Sequence, residues 1–234
     1  NVVIARIPEG RSIVFPGSAC PRCGKSIAWY DNLPVLSYAL LQGRCRNCQE
    51  PISWRYPAVE LSCGLLFVLA YHRFEAGTAL ASALILLAGL LAITAIDLDH
   101  QIIPDVLSLP GIVLGVLFSL APGGIGWAPS LLGVLLGGGV FVVIIAASTL
   151  VLGQAGMGVG DVKLGAMLGA FLGWKLALLS ILLSTLLGGP IAAALLATGR
   201  KSRKDPIPFG PFLIIGALWA VLVVATALDP RGCL

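Results

Sequence analysis

Charged residues are scarce in this chain, and their scarcity excludes an ordinary soluble domain. Only 11% of the 234 residues are Asp, Glu, Lys or Arg, and the mean hydropathy is +0.97. Soluble domains carry about a quarter charged residues. No charged residue occurs between Val106 and Gly160, although one helical crossing needs only about 20 apolar residues. This composition predicts a membrane protein that crosses the bilayer more than once.

Basic residues do not form the single surface stripe that nucleic-acid binding requires. Seven of them lie in the first quarter of the chain, and four cluster near the C-terminus at Arg200, Lys201, Arg203 and Lys204. Basic clusters beside apolar spans are typical of the cytoplasmic segments of membrane proteins. We therefore expect the lipid bilayer as a partner, and no nucleic acid.

An initiator methionine and a signal peptide are also missing from the sequence. It opens at Asn1 and continues with a short apolar run from Val2 to Ile4. We expect an upstream segment to precede this sequence in the native protein.

The chain divides into a polar first part and an apolar second part. Residues 1–56 contain Pro and Cys but no apolar run long enough to cross a bilayer, which predicts a small extramembrane domain. Residues 57–234 predict a transmembrane domain. The overall fold class is therefore an all-α polytopic membrane protein.

Seven apolar segments follow one another in the second part, separated by charges or by Gly and Pro. We predict seven transmembrane helices at 57–73, 78–96, 105–121, 129–152, 161–174, 176–198 and 208–228. Gly188, Gly189 and Pro190 are expected to kink the sixth helix.

The order of the segments predicts which side of the membrane each link faces. If the first domain is cytoplasmic, the links 97–104, 153–160 and 199–207 all face inward. The last of these contains the basic cluster, in agreement with the charge rule. Asp97 and Asp161 then lie on the same side. The fifth segment spans about 21 Å as a helix, less than the hydrocarbon core of about 30 Å, so we expect Asp161 to lie below the cytoplasmic surface.

Four acidic residues are candidates for chemistry, since acidic groups near membrane depth are costly and usually functional. They are Asp97, Asp99, Asp105 and Asp161. Two adjacent carboxylates cannot both ionise readily, so one of them retains a proton. The ionised partner can take a proton from an attacking water, and the protonated partner can hydrogen-bond to the peptide carbonyl. Asp97 and Asp161 come from distant segments on one side and could form such a dyad.

Other interpretations of these residues stay open at this point. Asp161 could cap a helix, Asp105 could favour a helix start after Pro104, and Asp99 could be a solvated loop charge. The aspartates could also relay protons or bind a cation in a transporter. The chain could instead be a membrane-anchored zinc module that binds partners without chemistry.

Four cysteines have the spacing of a structural zinc site. Cys20 and Cys23 form one Cys-x-x-Cys pair, and Cys45 and Cys48 form the second. In a reducing cytoplasm disulfides are not expected, and free thiols or redox pairs are the alternatives to zinc. Four thiolates leave no open position for water, so the metal would be structural and would help a small domain to fold.

Several motifs together resemble the bacterial type IV prepilin peptidases, which belong to the GxGD class of membrane aspartic proteases. The main matching segments are 97–105, Asp-Leu-Asp-His-Gln-Ile-Ile-Pro-Asp, and 156–164, Gly-Met-Gly-Val-Gly-Asp-Val-Lys-Leu. Further matches are 31–34, 55–57 with Glu60, and 208–212. The resemblance covers the whole chain and implies a further transmembrane helix before Asn1, which would bring the total to eight.

The resemblance implies an intramembrane aspartic endopeptidase whose catalytic pair is Asp97 and Asp161. The residues expected to support this pair are Asp99, Asp105, Gly158 and Gly160. Lys163 follows Asp161 by two positions and points to a different helix face, so we interpret it as an interface or partner charge.

The substrate implied is a type IV prepilin or pseudopilin with a short basic leader and an apolar helix. Cleavage is expected on the cytoplasmic side of the bacterial inner membrane, after a Gly that precedes the first apolar residue. Many family members then methylate the new N-terminus with S-adenosylmethionine. The sequence contains no Gly-rich nucleotide loop, so methyl transfer rests on the resemblance alone and its residues are not assigned.

Overall fold

Helices make up the regular structure of the protein. The computed structural model describes residues 1–153, 157–198 and 209–221. The helices are α1 Val2–Arg6, α2 Leu36–Leu40, α3 Arg55–Arg73, α4 Thr78–His100, α5 Asp105–Leu120, α6 Trp127–Leu152, α7 Val159–Ala197 and α8 Gly210–Trp219. A 3-10 helix spans Trp29–Asn32, and the β-structure of the described part is two isolated bridges. The predicted all-α fold is confirmed.

Helix α4 is longer than the sequence predicted, and this changes the place of Asp97. The predicted end was residue 96, whereas α4 continues to His100. Its C-cap, Gln101, adopts a left-handed backbone (φ 55°) and donates its N–H to the carbonyl oxygen of Asp97 over 2.9 Å. A left-handed residue closes a helix by satisfying one of its last carbonyls. Asp97 therefore lies inside the last turn of α4 and not in the link that follows.

The predicted fifth and sixth segments form the two halves of α7, which has a kink between them. Their expected break is present as a single residue, Gly173, with φ 72° and ψ 171°. Glycine adopts this backbone conformation without the steric cost that a side chain would add. Residues 188–190, where the sequence predicts a kink, lie within the helical span.

Among the described residues, three helices are long and apolar enough to cross a membrane by length and composition, namely Thr78–His100, Trp127–Val151 and Val159–Ala192. Helix α5 is apolar but shorter, and α8 is apolar up to the point where the described residues end, at 221. The count of seven spans therefore stays a prediction. The basic cluster at 200–204 and the end of the seventh segment lie outside the described residues.

Two compact units divide the chain, Asn1–Val68 and Leu69–Leu234. This division falls within α3, whereas the predicted domain boundary lies at 56/57 and stays a prediction. In the second unit α7 packs against α5, α6 and α8. The core there combines side chains from α4, α6, α7 and α8, including Leu90, Ile93, Phe141, Leu164, Leu168 and Leu213.

Glycines allow α6 and α7 to approach closely. Gly133 of α6 faces Gly169 of α7, and a Cβ at Gly133 would lie 2.7 Å from the carbonyl carbon of Gly169. Ser130 of α6 donates its hydroxyl to the carbonyl oxygen of Ala170 over 2.8 Å. Small residues and interhelical hydrogen bonds are the usual means of packing helices in membranes. This contact fixes α7, whose first turn carries Asp161.

Candidate aspartic active site and metal centre

Asp97 is buried, with 5% of its surface exposed, at the end of α4. Its Oδ2 accepts a hydrogen bond from the backbone N–H of Gly210 over 3.1 Å. A side chain at Gly210 would contact Oδ2 and place its Cβ 3.1 Å from Cγ of Asp97. Only a residue without a Cβ lets the α8 backbone come this close. Gly210 also opens α8, whose unpaired N–H groups and positive dipole end favour a carboxylate.

Asp161 is the third residue of α7 and is also buried, with 9% exposed. Its Oδ2 accepts a hydrogen bond from the backbone N–H of Gly158 over 3.2 Å. An acidic residue at this position of a helix commonly reaches back to the capping residue in this way. The suggestion that Asp161 itself precedes the helix as its cap is thereby corrected, because α7 begins at Val159.

Gly158 and Gly160, which precede Asp161, differ in the space that a side chain would find there. A Cβ at Gly160 would lie 2.9 Å from Cβ of Ile103, in the link between α4 and α5. A Cβ at Gly158 would meet Oδ2 of Asp161 at 3.5 Å, an ordinary contact. The close approach of the α4–α5 link to α7 therefore depends on Gly160, while space alone does not require glycine at 158.

The segments that carry the two buried aspartates meet, because Gly160 lies against Ile103 of the link that follows α4. Ile103, Met157 and Phe209 are partly buried and pack on the core of this unit. The tertiary structure thus brings the end of α4, the start of α7 and the start of α8 together. A pair of buried carboxylates in one place can share a proton. The catalytic roles of Asp97 and Asp161 stay predictions.

The other two acidic candidates lie on the surface of the same region. Asp105 opens α5 and pairs with Lys163, whose Nζ lies 2.5 Å from Oδ1 of Asp105. Asp99 is exposed in the last turn of α4. Their supporting roles stay predictions, but Lys163 has a defined partner, in line with its interpretation as a partner charge.

Sequence reasoning assigned no role to Gly210 or Ile103, although both contact site residues. The sequence signal for Gly210 is its place in the Pro-Phe-Gly-Pro-Phe segment at 208–212, which resembles a segment of the type IV prepilin peptidases. Pro208 lies outside the described residues. Nothing in the sequence marks Ile103 apart from its place between Gln101 and Pro104.

The four cysteines of the first unit converge as predicted. Their sulfur atoms all lie within 4.8 Å of one another, and the Sγ atoms of Cys20 and Cys48 are 3.8 Å apart. A tetrahedral zinc with Zn–S bonds of about 2.3 Å places its sulfurs about 3.8 Å apart. The cluster can therefore hold a metal such as zinc. Cys20, Cys23, Cys45, Cys48 and Cys63 form no disulfide, and Cys233 lies outside the described residues.

Both Cys-x-x-Cys pairs are built by the same backbone turn. The N–H of Cys20 donates to the carbonyl oxygen of Lys25 over 3.0 Å, and the N–H of Cys45 donates to that of Glu50 over 2.9 Å. Isolated β-bridges close the two turns, Ala19 with Ser26 and Arg44 with Pro51. This repetition makes two matching thiolate turns that face a common point.

An ion pair and a hydrogen bond hold the family-like segment 31–34 and the residue after it within the first unit. Arg46 donates two hydrogen bonds to Asp31, over 2.7 Å from Nε and 2.6 Å from Nη2. This charged partner lowers the pKa of Asp31 below its ordinary value. Glu60 accepts the N–H of Val35 over 2.8 Å, and Val35 has an unusual positive φ of 60°.

These features define a helical membrane protein with a buried acidic pair and a four-cysteine centre. Residues 1–74 match the bacterial peptidase A24 N-terminal domain, and residues 84–193 match the type IV leader peptidase family. The chain is 44% identical over 206 residues to a prepilin leader peptidase/N-methyltransferase of Myxococcus xanthus, 41% over 211 residues to one of Aeromonas hydrophila, and 39% over 225 residues to one of Pseudomonas aeruginosa. The chain belongs to the type IV leader peptidase family.

The alignments cover most of this chain but less of each relative. They include 87%, 90% and 94% of the chain, and 61%, 73% and 78% of the Myxococcus, Aeromonas and Pseudomonas proteins respectively. No solved structure matches the chain significantly. Membership of this family does not support the transporter alternative.

Proposed function

We propose that this protein is an aspartic endopeptidase that removes the leader peptide from type IV prepilins or pseudopilins. One observation carries the proposal: two aspartates from distant helices, Asp97 and Asp161, are both buried where the end of α4 and the start of α7 meet. Each is held by a backbone N–H, from Gly210 and Gly158 respectively. Family membership and the names of the relatives support the same reaction.

The chemistry follows from the way the two carboxylates are held. In each, Oδ2 accepts the backbone N–H, which fixes the plane of the group and leaves Oδ1 to act. One carboxylate takes a proton from water as the water attacks the scissile carbonyl carbon. The other, protonated, donates a hydrogen bond to the carbonyl oxygen, on which negative charge develops. The proton taken from water then passes to the leaving amine as the C–N bond breaks.

The substrate proposed has a short basic leader, a glycine at the junction and an apolar helix. The apolar helix would lie in the bilayer, and its junction would reach Asp161 below the cytoplasmic surface. A helix must open before an aspartic peptidase can cut it, and glycine at the junction lowers the cost of opening. Asp97, Asp161 and the cysteine-bearing unit are accordingly placed on the cytoplasmic side of the inner membrane.

Zinc is the metal proposed for Cys20, Cys23, Cys45 and Cys48. Four thiolates are a closed ligand set, so the ion would stabilise the fold of the small unit and would take no part in hydrolysis. Through it, the four side chains would hold the two matching turns together.

Methyl transfer to the new N-terminus, with S-adenosylmethionine as donor, is proposed from the names of the relatives. A cavity of about 180 Å³ in the second unit is lined by apolar residues of α4, α5 and α7, among them Ile85, Leu114 and Met167. It offers no charged side chain for the amino-acid end of this cofactor. This cavity does not fit the cofactor, and methyl transfer is assigned to no residue of the chain.

The direct test replaces each aspartate without changing its size. Asp97→Asn and Asp161→Asn should each abolish cleavage of a prepilin-like peptide by detergent-solubilised protein, while expression and melting temperature stay unchanged. Glu75→Gln is the matched control, since it removes an exposed acid beyond the other end of α4. Unimpaired cleavage by either Asn variant would remove the assignment.

A further inference from the structure

One ion pair joins the two chain segments that carry Asp97 and Asp161. Nζ of Lys163 lies 2.5 Å from Oδ1 of Asp105, and the two residues are 58 positions apart. Asp105 opens α5 directly after the link from α4, and Lys163 follows Asp161 by two positions on α7. We propose that Lys163 and Asp105 are positioning residues that hold these two segments in register. This inference rests on the function proposed above.

A second contact joins the same segments but cannot set their register. Ile103 of the α4–α5 link lies against Gly160, where a Cβ would come within 2.9 Å of Cβ of Ile103. Apolar contact of this kind is non-directional and permits small sliding movements. A charge-assisted hydrogen bond has a preferred direction and length. The ion pair therefore adds the directional restraint that the packing of Ile103 lacks.

The position of Lys163 on its helix explains why this residue has an acidic partner. Lys163 is the fifth residue of α7, near the positive end of the helix dipole, where a cation is disfavoured. Asp105 is the first residue of α5, where an acid is favoured. Asp105 therefore compensates for an unfavourable charge on α7 while stabilising its own helix.

The exposure of the Lys163–Asp105 ion pair indicates that the pair affects the geometry of the site and not the stability of the whole fold. The side chain of Lys163 is 29% exposed and that of Asp105 is 57% exposed. Ion pairs in contact with solvent contribute little to global stability. Small displacements of a catalytic group, in contrast, lower the reaction rate by large factors. Loss of the pair should therefore slow the chemical step and leave the folded state as stable as before.

The test uses the detergent-solubilised protein and a prepilin-like peptide. Lys163→Met and Asp105→Asn should each lower kcat about ten- to hundredfold, with KM and the melting temperature unchanged. The double variant should lose no more than either single variant, because the two residues act through one contact. Lys163→Arg, which keeps the charge and the donor, should retain most of the activity.

Lys175→Met is the matched control. Lys175 lies on the same helix beyond Gly173, with its Nζ 5.7 Å from the centre of the Trp174 ring, and its loss should leave kcat unchanged. Full activity of Lys163→Met and Asp105→Asn, beside a wild-type protein that cleaves, would overturn the inference and leave the proposed function intact. Losses that add in the double variant, or that accompany a lower melting temperature, would overturn it as well. Cleavage by Asp161→Asn would instead overturn the proposed function.

Discussion

The backbone N–H of Gly210 donates a hydrogen bond to Oδ2 of Asp97 over 3.1 Å, across 113 positions of the chain. This contact makes the start of α8 the third structural element of the acidic site, beside the end of α4 and the start of α7. The N-terminus of a helix attracts a carboxylate through its free N–H groups and its dipole. Helix α8 therefore orients Asp97, while the first turn of α7 orients Asp161.

Gly210→Ala should reduce cleavage at least tenfold, because the added methyl group would overlap the carboxylate of Asp97 and turn it away from its productive geometry. The measurement is kcat on a prepilin-like peptide. Gly139→Ala, on α6, is the control, since a Cβ there meets nothing within 4 Å. A wild-type rate for Gly210→Ala would contradict the role given to α8.

Gly169→Ala should destabilise the transmembrane unit. Its Cβ would overlap the backbone of Gly133 and lie 2.7 Å from the backbone nitrogen of Val134, so α6 and α7 would have to move apart. Overpacking of this kind typically costs about 1–3 kcal/mol. We expect a lower melting temperature in detergent than for Gly139→Ala, and equal melting temperatures would show that this glycine contact is dispensable.

Zinc should be present at one ion per chain and should depend on the four clustered thiols. Cys20→Ser should lose the metal and leave residues 1–56 more open to protease, because metal binding and folding of this small unit are coupled. Cys63→Ser, which removes a thiol of α3, should keep both. Metal analysis and limited proteolysis check these outcomes. Stoichiometric zinc in the Cys20→Ser protein would refute the ligand set.

Much of this protein follows from local patterns in its sequence. The scarcity of charge predicts a membrane protein, and the spacing of Cys20, Cys23, Cys45 and Cys48 predicts their convergence. Alternation of apolar runs with polar links predicts helix positions to within a few residues. It also predicts that Asp97 and Asp161 lie on the same side of the membrane, because the side follows from the number of predicted helices between them.

Other features depend on the backbone conformation of single residues, which hydropathy does not reveal. Where α4 ends is decided by the left-handed backbone at Gln101, which places Asp97 within a helical turn. The predicted fifth and sixth helices are the two halves of α7, and the non-helical backbone of the single residue Gly173 separates them. Hydropathy alone does not distinguish such an interruption from a loop.

The sequence by itself determined the membrane class, the helical architecture and the thiol cluster, because each is written in composition or in short-range spacing. Only the tertiary structure decided the partners of the acidic residues: Gly210 for Asp97, and Lys163 for Asp105. These pairings arise when α5 and α8 pack against α7 and α4 packs against α5 and α8, and packing depends on which side chains are small enough to let helices meet. No short stretch of sequence contains that information.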